Sequence, residues 1–191
     1  MRLHYLYLAL IGFTLSCHSD DIQNQYTIQG KVVWAEDIEF NLPITIHLLK
    51  GDEIISTVHT SQFTFSNLEE GAKFTVLPLT TAEGRNGLST LDYVQVQKHL
   101  QGQISLDLFQ KIAADVNLDN SIGLDDIEII QHCIVSSPKL FECPGYRFVS
   151  AAHDEQSFMY IDRYETGKIN SDHEVTFIPI KLGDLNNTIH P

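Results

Sequence analysis

Apolar and polar residues alternate along residues 26–80, and this is the pattern of strands with one face in a core. The apolar runs are separated by turn residues such as Gly51-Asp52 and Gly71 at intervals of roughly 8 to 12 residues. The runs cover residues 26–34, 43–50, 54–60 and 63–78. This spacing predicts a small β-sandwich over residues 26–80.

The C-terminal part of the chain carries further β-prone apolar runs. They cover residues 146–149, 158–161 and 175–182, with polar loops between them. A β-sandwich usually needs about seven strands, and residues 26–80 are short for that number. We therefore predict that residues 138–191 form a β-rich segment that packs back on the sandwich and covers one of its edges.

The middle of the chain changes to a helical period. Apolar residues follow Asp92 and Asp126 at the spacing i, i+3 and i+7, which places them on one face of a helix. These residues are Tyr93, Val96 and Leu100 in the first run and Ile127, Ile130 and Ile134 in the second. Residues 104–114 also have helical spacing. The predicted fold class is therefore α+β and multi-segment, with two loop-helix units joined by a short helix.

Residues 115–126 place oxygen-bearing side chains at positions 1, 3, 5 and 12 of a twelve-residue loop. Ca²⁺ takes about 6 to 8 hard oxygen ligands, and a single loop supplies them by turning back around the ion. Asn120 is at position 6, where positive φ is needed, and Gly123 at position 9 leaves room for water. The predicted ligands of one Ca²⁺ site are Asp115, Asn117, Asp119, the Ser121 carbonyl and Asp126.

The loop recurs in degraded form 34 residues earlier, because residues 86–100 align with residues 120–134. This copy has Thr81, Glu83 and Arg85 at loop positions 1, 3 and 5, and a cationic Arg85 argues against a calcium ion there. Asp184 and Asn186 repeat the opening of a calcium loop near the end of the chain. They form a second half-site, donate a ligand to a neighbouring loop, or belong to an exposed polar tail, and we favour the tail.

The duplicated loop-helix units of residues 81–137 resemble a type I dockerin domain, most specifically in residues 114–131. The resemblance implies a protein-protein interaction module that binds a cohesin-like or other surface protein domain. In that family, loop positions 10 and 11 select the partner, and here they are Thr90-Leu91 and Leu124-Asp125. Residues 63–76 resemble prealbumin-like modules, which include carboxypeptidase regulatory domains and collagen-adhesin B-type repeats. The whole arrangement resembles a composite region of secreted Bacteroidota proteins.

The N-terminus predicts secretion. Residues 1–17 have a basic start, an apolar run at 6–15 that is too short for a permanent membrane helix, and a terminal cysteine. The segment resembles a bacterial lipoprotein signal peptide that leaves Cys17 as the lipidated residue, and the alternative is a plain signal peptide with an incidental cysteine. Residues 18–25 form a linker, and its acidic start resembles a surface-export signal. We expect a lipid-anchored protein on the outer membrane, held there by the lipid alone.

Composition narrows the range of partners. The chain has 25 acidic and 12 basic residues and a net charge of −13, which disfavours nucleic acid as a partner. In an oxidising compartment Cys133 and Cys143 can form a disulfide, and the alternative is two unpaired thiols. The sequence carries no recognised catalytic motif, so we expect no enzymatic activity.

These observations predict a calcium-stabilised, non-catalytic attachment protein at the cell surface. One alternative is a glycan-binding accessory lipoprotein of a polysaccharide-uptake system, with exposed aromatic residues as its binding platform. The candidates for that platform are Trp34, Tyr146 and Tyr160. Another alternative is a structural stalk.

Overall fold

The computed structural model describes residues 24–34, 38–137, 139–151 and 162–186. The predicted signal peptide, Cys17, the first residues of the linker, Tyr160 and the apolar run at 158–161 lie outside the described residues. In this part of the chain, the structure contains eight strands and three helices. In chain order they are β1 (Gln25–Val32), β2 (Ile44–Lys50), β3 (Glu53–Val58), β4 (Gln62–Glu69), β5 (Lys73–Thr80), α1 (Thr90–Leu100), α2 (Leu108–Ala114), α3 (Leu124–Val135), β6 (Tyr146–Ser150), β7 (Tyr164–Lys168) and β8 (His173–Lys181).

The strands form two four-stranded sheets, so the α+β class is correct. One sheet has the order β4-β1-β8-β6 and the other β3-β2-β5-β7. All the strand pairs are antiparallel except β1 with β8, which run parallel from the pair Ile28–His173 to the pair Val32–Phe177. The alternating residues of both sheets meet in one core, which is why the period-two pattern of the sequence is so clear. This sandwich core includes Ile28, Val32, Ile46, Leu48, Phe63, Phe65, Phe74, Val76, Phe148, Val175 and Phe177.

Strand β8 is an interior strand of its sheet, between β1 and β6. The C-terminal segment is thus hydrogen-bonded to the first strand of the described chain. Its residues also change neighbours along its length: Val175 and Phe177 lie in the sandwich core, whereas Ile180 packs with Ile112 of α2. This strand therefore joins the sandwich to the helices.

The three helices are inserted between β5 and β6. Helix α2 is shorter than the pattern at residues 104–114 predicts, because Asp107 ends the extended segment before it and caps the helix. The Asp107 carboxylate accepts a hydrogen bond from the Gln110 backbone N–H at 2.8 Å, and the Gln110 side chain accepts one from Asp107 N–H at 3.1 Å.

A second core lies between the helices and the end of the chain. It contains apolar residues of α1 and α3 together with two residues that follow β8. These buried residues are Val96, Leu106, Ala114, Val116, Ile127, Ile130, Leu182 and Leu185. The C-terminal segment after β8 thus takes part in the helical core.

Candidate metal centre

The loop of residues 115–126 connects the end of α2 to the start of α3. Asp115 is the C-cap residue of α2, and Gly123 is the N-cap residue of α3. The backbone takes positive φ at Leu118 (65°) and Asn120 (64°). Asn tolerates this conformation better than most residues, and its position in the loop is the one that the sequence predicts to need it.

The carboxylate of Asp115 lies inside the turn and is fully buried. One of its oxygens accepts the Asp119 N–H at 3.1 Å, and the other accepts the Asn120 N–H at 3.1 Å. The first predicted ligand therefore organises the backbone around the two left-handed residues.

The carboxylate of Asp126 closes the loop and is also fully buried. Its Oδ1 accepts the N–H groups of Val116 (2.9 Å) and Asn117 (3.2 Å), and its Oδ2 accepts that of Gly123 at 2.8 Å. Burial raises the pKa of Asp126, these three hydrogen bonds oppose the rise, and repulsion from Asp115 adds to it. Asp115 is therefore close enough to Asp126 to disfavour the charged form of the Asp126 carboxyl group.

The remaining predicted ligands lie toward solvent. Asp119 Oδ1 accepts hydrogen bonds from the backbone N–H and the hydroxyl of Ser121, both at 2.8 Å, and Asp119 Oδ2 accepts the Asn117 side-chain amide at 3.0 Å. The bond from the Ser121 hydroxyl lowers the pKa of Asp119. The structure thus brings all five predicted residues into one loop, with two carboxylates buried and the third at its exposed rim.

The chemistry of the loop fits a hard divalent cation. Its donors are carboxylate and amide oxygens, and it buries two mutually repelling carboxylates. A Cβ at Gly123 would lie 2.4 Å from a carboxylate oxygen of Asp125, so a larger residue at position 9 would displace that side chain. In the described part of the chain, no group of three or more His, Cys, Asp or Glu side chains is placed so that it could hold a metal ion. The carboxylates of the loop would therefore have to move to bind an ion.

The degraded copy differs from the sequence-based picture. Arg85, predicted at loop position 5, donates hydrogen bonds to the carbonyls of Cys133, Ser136 (2.8 Å) and Phe141 (3.1 Å). The guanidinium thereby satisfies carbonyl groups at the end of α3. The Arg85 guanidinium is bound to these carbonyl groups. Its positive charge is therefore no argument against a metal ion beside Asp92.

The favoured interpretation of the last residues as an exposed polar tail is wrong for residues 184–186. Asp184 and Leu185 are each 3% exposed, and the backbone N–H groups of Leu185 and Asn186 donate to the Asp92 carboxylate. Asp92 is itself fully buried. On the Asp-x-Asn spacing, the sequence analysis kept the donation of a ligand to a neighbouring loop as an alternative, but it did not connect this segment to Asp92.

Near the other end of α3, the Sγ atoms of Cys133 and Cys143 are bonded, with the two Cα atoms 5.5 Å apart. The aromatic residues proposed for a glycan platform do not form one in the described part of the chain. Trp34 is 4% exposed, and Tyr146 packs edge-on against it with the ring centroids 6.0 Å apart. Tyr160 lies outside the described residues.

No family model, no curated protein and no solved structure matches the chain. Among the described residues, none of the helices is long and apolar enough to cross a membrane. The fold and the loop therefore define an α+β protein with a candidate cation site, and its function has to be inferred from its own residues.

Proposed function

We propose that the protein is a calcium-stabilised, non-catalytic attachment protein of the cell surface, and that α1 and α3 form a dockerin-like docking module. In this proposal one Ca²⁺ ion binds at residues 115–126 and fixes the start of α3. The ion is structural, and the helices contact the partner. The partner is a cohesin-like or other surface protein domain.

The observation that carries the proposal is a pair of exposed leucines in the first turns of the two helices. Leu91 of α1 is 62% exposed and Leu124 of α3 is 76% exposed. Large aliphatic side chains that are this exposed are typical of an interaction surface when they occur together with further apolar residues. They occupy loop positions 11 and 10, which select the partner in dockerins.

Further apolar surface lies between the two helices. A groove of about 290 Å³ lies between α1 and α3, and its lining includes Tyr93, Ile134 and Val135. Val135 is 79% exposed at the end of α3. An apolar groove between two helices, with exposed leucines at the helix starts, suits a partner that packs across both helices.

The test is affinity capture from extracts of surface proteins, with the purified chain as bait. Leu91→Asp combined with Leu124→Asp should abolish capture, because each change places a charge where the interface must be desolvated. EDTA should weaken capture by the wild type. A matched control is Ile54→Asp combined with Ile55→Asp, since these residues are 52% and 45% exposed on β3, away from the helices.

The control pair should capture as well as the wild type. If the leucine variant captures the same proteins as the control, the helices are not the docking surface. If neither the leucine variant nor EDTA changes capture, the proposed function as a whole is wrong.

A further inference from the structure

Asp92, the third residue of α1, accepts hydrogen bonds from two segments that are far apart in the chain. Its Oδ2 accepts the backbone N–H of Ser89 at 2.7 Å and the Ser89 hydroxyl at 2.8 Å. Its Oδ1 accepts the N–H of Leu185 at 2.9 Å and that of Asn186 at 3.3 Å. A buried carboxylate thus joins the segment before α1 to the segment after β8.

The same pattern surrounds Asp126 in the continuous loop. There Oδ2 accepts an N–H from three residues earlier at 2.8 Å, and Oδ1 accepts those of Val116 at 2.9 Å and Asn117 at 3.2 Å. Leu185 and Asn186 therefore hold the place beside Asp92 that Val116 and Asn117 hold beside Asp126. The sequence Asp184-Leu-Asn repeats Asp115-Val-Asn in the same order.

The apolar residues repeat as well. Val116 and Leu185 are both buried in the helical core, next to Val96 of α1 and Ile130 of α3. These last two residues occupy equivalent positions in the two helices. The two loop-helix units therefore share a hydrogen-bonding pattern and a core, but the first unit takes its opening residues from the other end of the chain.

One oxygen of this second unit is a candidate for binding a ligand. Among the described residues, the buried Asn186 Oδ1 has no hydrogen-bond partner, whereas the amide nitrogen of the same side chain donates to the Ser89 hydroxyl at 3.4 Å. Buried acceptors are normally paired, so an unpaired one calls for an explanation such as a bound ion. Asn186 stands at position 3 of the loop, where Asn117 is a predicted ligand.

The charged side chains near Asn186 include two buried carboxylates and one ammonium group. Asp92 is fully buried and Asp184 is 3% exposed. The Lys181 ammonium acts electrostatically on both carboxylates, while it donates hydrogen bonds to the carbonyls of Gly84, Pro144 and Leu182. A divalent cation at this place would be attracted by both carboxylates.

We infer that Asp184, Asn186 and Asp92 form a second, discontinuous Ca²⁺ site, a loop divided between the C-terminal segment and the segment before α1. The inference goes beyond the proposed function, which needs only the ion at residues 115–126. Fewer carboxylates face this site than the continuous loop, and affinity follows the number of charged ligands, so the second ion binds more weakly.

The test is calorimetric titration of the full mature chain with Ca²⁺ after treatment with a chelator. The wild type should bind two ions. Asn186→Ala should weaken the second ion at least about tenfold and leave the first unchanged, since the backbone hydrogen bond to Asp92 remains. Asp115→Ala should remove the tighter ion and keep the weaker one. Asp52→Asn, in the exposed turn between β2 and β3, is the control for loss of a carboxylate and should bind as the wild type does.

Asn186→Asp provides a test that misfolding cannot imitate. It adds a charged ligand at position 3 and should tighten the weaker ion by about tenfold. A single ion that is lost in Asp115→Ala and unaffected by either change at Asn186 would overturn the second site and leave the proposed function standing. Titrations in which no calcium binds to the wild type would overturn both.

Discussion

At the scale of single residues, several ionisable side chains in and around the helical part of this protein are buried. Three carboxylates at the loops are fully buried, and so is the ammonium of Lys181, which is 2% exposed. The fully buried carboxylates are Asp92, Asp115 and Asp126. Each of them accepts backbone N–H groups from the chain that it holds in place. Buried charges of this kind fix one conformation because an alternative packing would leave them unpaired.

Lys181 leads to a prediction about pH. Burial lowers its pKa to about 8, against the opposing attraction of Asp184 and Asp92. Because the pKa of Lys181 is lower in the folded chain than in the unfolded chain, keeping Lys181 charged in the folded protein lowers the free energy of unfolding at pH values below 8. This decrease is relieved as the pH rises from about 8 to about 10.5, because over this interval the unfolded chain binds the proton and the folded chain does not.

We expect the free energy of unfolding of the wild type to rise relative to that of Lys181→Met over this interval, by at most about 3 kcal/mol. Urea unfolding of both proteins at several pH values, with EDTA present throughout, measures the difference. Lys139→Met, in the loop after α3, controls for loss of an exposed lysine and should follow the wild type at every pH. A constant difference between the wild type and Lys181→Met would show that Lys181 keeps an ordinary pKa.

At the scale of elements, the periodicity of the sequence predicts most of the structure. The strands β1, β2, β3, β4, β5, β6 and β8 coincide with predicted apolar runs, and helices α1 and α3 follow Asp92 and Asp126 as the spacing indicates. Strand β7 was missed because Tyr164–Lys168 alternates only weakly and contains a glycine. Its place at the edge of a sheet requires only one hydrogen-bonded partner, β5, so burial leaves little trace in its sequence.

The pairing of Asp184 and Asn186 with α1 was harder to predict for a different reason. Local patterns show that a residue is suited to a loop, but they do not show which distant segment completes that loop. Leu185 and Asp92 are 93 residues apart in sequence, and only the position of β8 beside β1 and β6 brings them together. The composition of the continuous loop, in contrast, is local and could be read directly from residues 115–126.

The interior position of β8 predicts that the C-terminal segment stabilises the N-terminal strands. Phe177 is fully buried in the sandwich core, so Phe177→Ala should lower the free energy of unfolding by about 3 to 5 kcal/mol. Limited proteolysis should then cut faster within residues 25–80, because β1 loses its support from β8. Phe109→Ala is the matched control, since Phe109 of α2 is 46% exposed.

The control variant should unfold within about 1 kcal/mol of the wild type, as surface substitutions usually do. Equal protection of residues 25–80 in both variants would mean that the N-terminal strands do not depend on the C-terminal strand.

At the scale of the whole molecule, the chain closes on itself. Among the described residues, the first strand, β1, pairs with the last strand, β8, and the helices lie between them in the chain as an insertion. Both ends of the inserted helical segment continue into strands of the sandwich, and α2 also packs against Ile180 of β8. The proposed docking face on α1 and α3 is therefore connected to the sheets through the chain and through the packing of α2.

The proposed attachment of this molecule to a membrane depends on Cys17. A lipidated N-terminal cysteine carries several acyl chains, and each buried CH₂ contributes about 0.8 kcal/mol, so anchoring by more than one chain is effectively permanent. Cys17→Ser should move the protein from the membrane fraction to the soluble fraction of detergent-free lysates of the native host. Ser19→Ala, two residues further on, should remain in the membrane fraction.

The acidic residues that follow Cys17 are expected to decide which side of the outer membrane the protein faces. Asp20→Ala combined with Asp21→Ala removes the charges of the proposed export signal and keeps the lipid. This variant should stay in the membrane fraction but become resistant to protease added to intact cells, whereas the wild type is digested. Asp52→Ala combined with Glu53→Ala, in the turn between β2 and β3, removes two charges elsewhere and should be digested like the wild type. Retention of Cys17→Ser in the membrane fraction would overturn the lipid anchor itself. Digestion of the Asp20/Asp21 variant at the wild-type rate would show that these two residues do not direct the protein to the surface.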